Sequence, residues 1–349
     1  MVQVRVVGSP RGHRLDGNCS VVQAGNRFLD HLGARGFSPA TVRAYAFDVA
    51  NFAGFLGDRS LDLSEVAPTD LFDYLAWQAQ HVASGEKVVA LRPGRPAPAT
   101  MNRRIAAVRG LFEHLVMTGV RADNPVPAAR RATGLRGVPR KGLLGHVAVR
   151  DRSGGRLIRE PNRLPESLAA EAVAAFFADL DTHRDRAMVL AMVLGGLRAA
   201  EVRSLRLADV DLGLRRVRVM GKGGKERVVP IDDAFFAECT AYLRTERPQG
   251  CPTPECFVVL RGPTRGQPLT EAGLRKVFRT HRARSGATRV RPHRLRHTYG
   301  TELAAAGIDL LVLRELMGHA SPETTARYVH LSADTLAAEF AAARAATGR

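Results

Sequence analysis

Arg215-Arg-Val-Arg-Val-Met220 and Glu226-Arg-Val-Val-Pro-Ile231 flank Gly221-Lys-Gly-Gly-Lys225. Each flank alternates with the period of two of a strand, and the glycines between them supply the conformational freedom of a tight turn, so the segment predicts a β-hairpin. On both sides the period becomes three to four. Helices are expected at about 168–180 and 184–194, with a short one from Ala199 and mostly helix from about 232 to 346. One apolar run, Phe257 to Leu260, reads as a further strand. A hairpin set among helices predicts an α+β domain with a small sheet over residues 164–349.

Upstream, residues 122–163 are rich in Pro, Gly and Arg without a sustained period, the composition of an interdomain linker. Before it, Ser38-Pro39 offers an N-cap and an N1 proline. Val42, Tyr45, Val49, Phe52 and Leu56 then recur along one helix face. A second helix starts near Thr69. A third runs from about Ala99 to Thr118, with Ile105, Val108, Phe112 and Leu115 inward, Arg103, Arg104 and Arg109 outward, and Gly119 as its stop. Residues 22–121 thus predict an all-helical domain. Residues 1–21, with Gly8, Pro10, Gly12 and Gly17 and no period, predict an extended arm. The expected fold is mainly α with a small β-sheet, in two domains, as 349 residues at roughly 150 per domain would give.

The charge narrows the partner. Lys and Arg number 52 against 34 Asp and Glu, a net +18. Residues 122–163, 215–227 and 275–296 together carry +21, more than the whole chain. Clustering of this kind is the footprint expected on a phosphate backbone, so the expected partner is nucleic acid. A membrane is disfavoured: the longest apolar run, Ala187 to Leu197, is too short to span a bilayer, and the N-terminus lacks a basic-then-apolar signal pattern. Cys19, Cys239, Cys251 and Cys256 show no disulfide framework, which suits a reducing, cytoplasmic location. Cys251 and Cys256 have no second ligand pair, so a surface loop is expected there and no metal site.

Four segments of the C-terminal domain resemble, in order and spacing, the tyrosine recombinases of the phage integrase family, Xer-like members among them. They are Gly195-Gly-Leu-Arg-Ala-Ala-Glu201, the Lys222 hairpin, His293-Arg-Leu-Arg-His-Thr298, and Leu316-Met-Gly-His319 with Tyr328 nine residues on. Thr41-Val-Arg-Ala-Tyr45 and Met101-Asn-Arg-Arg104 resemble that family's core-binding domain. The resemblance implies a site-specific recombinase that acts on double-stranded DNA as a tetramer, of one chain or with a partner recombinase, and uses neither ATP nor metal. Tyr328 would be the nucleophile, forming a 3′-phosphotyrosyl link. Arg198 and Arg296 would clamp the phosphate, with His319 as a further donor. Lys222 would protonate the leaving 5′ oxygen, with Lys225 as the alternative, while His293 handles the nucleophile's proton and Glu201 orients the shell. Arg43, Arg103, Arg104 and Lys225 would contact DNA. Leu336, Phe340 and Ala343 lie on one face of a tail helix that would dock on a neighbouring protomer.

The residues support this chemistry on their own terms. Phosphoryl transfer needs its equatorial oxygens stabilised, by metal ions or by fixed cationic forks. No carboxylate cluster favours metal; Asp209 and Asp211 are explained by a turn. Arginine forks grip two phosphate oxygens at once, and neighbouring cations favour a phenolate whose ordinary pKa is about 10. Each residue also has a plain structural reading. Arg198 can pair with Glu201 three positions on, Arg296 and His293 can lie on a solvated helix face, His319 can rest against the last carbonyls of its helix, and Tyr328 can be packing. His297 reads as structural. Two other classes remain: a type IB topoisomerase, disfavoured by the N-terminal domain, and a DNA-binding protein without chemistry. The long linker and the extra N-terminal residues favour a mobile-element integrase or transposase over chromosome-dimer resolution.

Overall fold

The computed structural model describes residues 4–9, 12–80, 96–127, 157–158, 167–221, 224–319, 325, 341 and 344–345. The chain divides into two compact units, Met1–Asn162 and Arg163–Arg349.

The first unit contains α1 (Ser20–Ala34), α2 (Pro39–Arg59), α3 (Pro68–Gln80) and α4 (Pro98–Met117). Ser38 caps α2, its Oγ accepting from the Thr41 N–H at 3.2 Å ahead of the N1 proline. The predicted stripe is the buried one: Val49, Phe52 and Leu56 lie in the core, where Tyr74 and Phe112 meet the Phe52 ring edge-on at 5.0 and 6.0 Å.

The expected arm, 1–21, is extended but not detached. Strands β1 (Arg5–Ser9) and β2 (Gly12–Asp16) pair antiparallel, with Ser9 opposite Gly12. Val4 and Val6, two residues apart, pack on the helical core, and Leu15 is buried in it. The Leu15 N–H donates to Asn26 Oδ1 at 2.9 Å, and Asn26 Nδ2 donates back to the Leu15 carbonyl at 3.0 Å. The hairpin therefore belongs to the domain that was expected to be all-helical. Most of the linker lies outside the described residues. Two residues of its later part are described: Leu157 packs on the same core, and Ile158 exchanges two backbone hydrogen bonds with the Asn102 amide, at 2.9 and 3.1 Å.

The second unit contains α5 (Ala170–Ala178), α6 (His183–Val193), α7 (Ala199–Ser204), α8 (Asp233–Thr245), α9 (Glu271–Ser285), α10 (Pro292–Ala305) and α11 (Leu310–Met317). Its antiparallel sheet runs β3 (Val210–Asp211), β4 (Arg216–Met220), β5 (Glu226–Pro230). The predicted hairpin is β4–β5, with Met220 opposite Glu226. Every residue of α6 from Ala187 to Val193 is buried, and α8 and α10 pack against it. This accounts for the apolar run as a central helix.

Phe257–Leu260 is not a strand. One edge of the run bonds to a neighbouring backbone segment, the Val259 N–H donating to the Gln267 carbonyl at 2.9 Å and the Leu269 N–H to the Phe257 carbonyl at 3.2 Å. On the other edge side chains stand where a second strand would be: the Val258 N–H donates to the Tyr242 hydroxyl at 3.2 Å, and Arg184 donates to the Val258 carbonyl at 2.9 Å. Val258 keeps one isolated bridge, to Pro268. Cys256, expected on a surface loop, is buried with its Sγ 3.9 Å from that of Cys239. The Cys251 thiol donates to the Gly266 carbonyl at 3.1 Å. Asp209 ends a 3-10 turn and Asp211 closes β3 just before the turn at 212–215, and they pair with Arg218 and Arg216 at 3.1 and 3.3 Å. Leu336, Phe340 and Ala343 lie outside the described residues.

Candidate active site

The site begins where α6 ends. Gly196 takes φ +61, and a Cβ there would fall 2.4 Å from the Tyr299 ring, so the turn needs glycine on both counts. Two residues later the chain enters α7 with Arg198 at the N-cap and Glu201 at N3. The Glu201 carboxylate accepts from the Arg198 N–H at 2.8 Å and from Arg198 Nη1 at 2.7 Å. The expected pair is therefore present, but it is part of a larger cluster. Arg227, on β5, donates through Nη1 and Nη2 to both Glu201 oxygens at 2.9 and 2.8 Å, and Arg296, on α10, stands 3.9 Å from the same carboxylate. Burial pushes the Glu201 pKa up, but the hydrogen bonds from Arg227 and Arg198 outweigh it and hold the pKa at about 2. One carboxylate thus faces three guanidinium groups, and the surplus charge is positive.

The same arginines hold the end of α11. The Leu316 carbonyl accepts from Arg227 Nε at 2.9 Å, the Met317 carbonyl from Arg296, and the Gly318 carbonyl from Arg198 at 2.8 Å. Three successive carbonyls at a helix C-terminus, where the macrodipole is negative, each receive a different arginine. Arg296 also donates to the Gly196 carbonyl, tying the α6–α7 turn to α10. His319 is therefore not the group that satisfies these carbonyls. Its backbone N–H closes the helix on the Arg314 carbonyl at 3.1 Å, and its Nδ1 meets the hydroxyl of buried Thr325 at 2.9 Å.

The cluster is layered. Arg296, Arg227 and Glu201 are buried, whereas the Arg198 side chain is more than a third exposed and His293 is exposed. Arg296 accordingly does not sit on a solvated face. Partial burial of the His293 ring, then Arg296 and Arg198, holds its pKa below the ordinary imidazole value. Burial pushes His319 down to about 4, helped by Arg296, Arg198, His297 and Arg227. His297, which read as structural, meets the His293 ring edge-on at 4.3 Å.

Lys222 and Tyr328 lie outside the described residues. The hairpin neck beside Lys222 is fixed by the Gly221 N–H, which donates to the Lys225 carbonyl at 2.7 Å, and Lys225 is exposed. In the first unit Arg103 pairs with Asp48, a buried residue whose pKa burial raises to about 6 against the pull of Arg103 and Arg104. Arg104 donates to Gln78 at 3.2 Å, and Arg43 covers the exposed Phe47 ring at 5.8 Å. These side chains have partners within the domain as well as open edges.

Arg227 and Thr325 were missed from the sequence. A signal for Arg227 existed: in Glu226-Arg-Val-Val-Pro230 the buried positions are 227 and 229, so strand alternation places the arginine inward. Thr325 carries no comparable mark.

Comparison with known proteins identifies the family. The phage integrase family profile matches residues 166–335, and the N-terminal SAM-like domain of phage integrases matches 26–119. The chain is 30% identical over 312 residues to the tyrosine recombinase XerC of Roseiflexus castenholzii, covering 87% of this chain and 88% of that protein. It is 30% identical over 324 residues to XerC of Myxococcus xanthus, covering 89% and 93%. Among solved structures, the Tn1549 transposon integrase in complex with circular intermediate DNA shares the fold at TM-score 0.62 and 16% identity, over 93% of this chain and 99% of that one. The XerH recombinase bound to palindromic difH substrate does so at 0.60 and 20%, over 88% and 80%. With both domains matched and the identity spread over most of its length, the chain belongs to the phage integrase family and is a site-specific tyrosine recombinase.

Proposed function

We propose that Tyr328 attacks the scissile phosphate while Arg198, from the exposed layer, and the half-buried His319 hold its non-bridging oxygens and Arg296 supports them from the buried layer. The observation that carries this is the convergence of three guanidinium groups on one carboxylate and one helix end, an excess of cations over carboxylates among the described residues that is fixed in place before substrate arrives. His319, with a pKa of about 4, is neutral at pH 7. When its Nδ1 accepts from the Thr325 hydroxyl, its Nε2 carries the ring proton and is a neutral donor. His293, also held below the ordinary value, is neutral at pH 7 and suited to take the tyrosyl proton, while Lys222 protonates the leaving 5′ oxygen. Arginine forks supply what metal ions supply elsewhere, so cleavage of a nicked duplex carrying the true site should be undiminished in EDTA. Activity lost in chelator and restored by magnesium overturns this mechanism.

The working assembly is a tetramer on paired sites, acting on DNA in the cytoplasm. The long linker favours a mobile-element enzyme; no helix among the described residues is long and apolar enough to cross a membrane. Binding should be steeply salt-dependent. Counterion release gives a slope of log K on log salt near −0.9Z, with Z roughly 6–10 for these basic clusters. Affinity that barely changes between about 50 and 200 mM salt removes the phosphate-footprint argument.

A further inference from the structure

We infer that Arg227 is a positioning residue of the recombination reaction: it locks the carboxylate that aims Arg198, fixes the helix end from which His319 projects, and aligns both with the hairpin that carries Lys222. The inference rests on the roles proposed above.

Three elements meet on its guanidinium. One edge lies against Glu201 on α7, through the bidentate pair at 2.9 and 2.8 Å; Nε holds the Leu316 carbonyl at the end of α11. Its own backbone is part of β5, two residues after Lys225. At the hairpin neck, a Cβ on Gly221 would lie 3.8 Å from its Nη1. Gly318 lies still closer. It takes φ +57, and a Cβ there would fall 2.8 Å from Nη1 and 3.0 Å from Cζ of Arg227, so the α11 turn is pressed onto the guanidinium plane. The next residue is His319. With its side chain only 5% exposed, Arg227 acts through other groups and not on substrate.

The physical need is specific. Glu201 is buried, and Arg198, its other close partner, must present charge to solvent and then to a phosphate. A fork that occupies both carboxylate oxygens from behind leaves Glu201 one orientation, and that orientation sets where Arg198 points. Without Arg227 the carboxylate is held by the Arg198 it is meant to aim and by Arg296 at 3.9 Å, and the Leu316 carbonyl loses its side-chain donor.

The test is single-turnover cleavage of a nicked duplex carrying the true site, measured against DNA concentration. For Arg227→Gln the maximal rate should fall by about 10–100-fold, by analogy with the loss of an outer hydrogen-bond partner that orients a metal ligand. The DNA concentration for half-maximal rate should stay within about threefold, because no phosphate contact is lost. Since Arg227 acts through Glu201, the double variant Arg227→Gln, Glu201→Gln should be no slower than the slower single variant. Arg227→Lys, which keeps the charge but not the fork, should fall between wild type and Arg227→Gln, and it carries the same two measurements if the glutamine variant does not fold. An unchanged rate, a loss of affinity in step with the rate, or a double variant slowed by the product of the two single effects each overturns the inference. Wild type and Tyr328→Phe run alongside separate the two levels. A normal Arg227 variant beside a Tyr328-dependent adduct defeats this inference alone, whereas an adduct formed without the Tyr328 hydroxyl defeats the roles beneath it.

Discussion

Tyr328→Phe abolishes the covalent protein–DNA adduct while leaving DNA affinity nearly unchanged: this is the largest effect expected from a single atom in the chain. The substitution removes one oxygen and keeps the ring, so packing and the surrounding positive field persist. What disappears is the attacking group. On a nicked duplex, loss of the short 5′ fragment prevents religation, and wild type accumulates an adduct that survives denaturant. The phenylalanine variant yields none, a loss limited only by the sensitivity of the gel. On the proposed reading, the arginine cluster is what makes a tyrosine hydroxyl sufficient. Its ordinary pKa is about 10, and fixed guanidinium groups lower the cost of the phenolate as the proton leaves. A phenylalanine variant that still forms the adduct makes Tyr328 a packing residue.

Much of this site was legible because its chemistry is written in short segments with helical or strand period around them. Arg198 with Glu201, and His293 with Arg296, are spaced three apart on helices. The hairpin announces itself by alternation and glycine. What stayed hidden was the supporting structure. Arg227 breaks an apolar inward pattern, and a single sequence does not say whether such a break is an error in the strand reading or a buried ion pair. The three arginine-bound carbonyls at 316–318 are backbone groups, invisible to residue-type reasoning. The N-terminal hairpin was hidden by glycines inside its strands: Gly8 in β1 and Gly12 in β2 read as irregular, although Val4 and Val6 already carried the strand period. At Phe257–Leu260 the opposite happened. The apolar run was real and keeps backbone bonds to 266–269 on one edge, but on the other edge tertiary partners, Tyr242 and Arg184, occupy the Val258 backbone, and the pairing shrinks to one bridge.

Arg296→Lys is expected to slow cleavage by roughly 10²–10³-fold, the range for loss of one preorganised transition-state donor. The structure adds a second consequence. Arg296 bridges two carbonyls of buried residues, Gly196 at the entry to α7 and Met317 at the end of α11. An ammonium is a compact point charge and does not span them, so one carbonyl is left without a donor at about 1–3 kcal/mol. In a unit of this size that lowers the melting temperature by several degrees, at about 2–4 °C per kcal/mol. The turn that presents Arg198 and the turn that presents His319 also lose their common tie, so charge is conserved while geometry is not. Cleavage and DNA binding are therefore to be compared well below the melting transition of the variant. Affinity should hold, since the basic surface is unchanged, while the rate collapses. A lysine variant that melts earlier yet cleaves within about threefold of wild type would show that Arg296 braces the fold without serving the transition state.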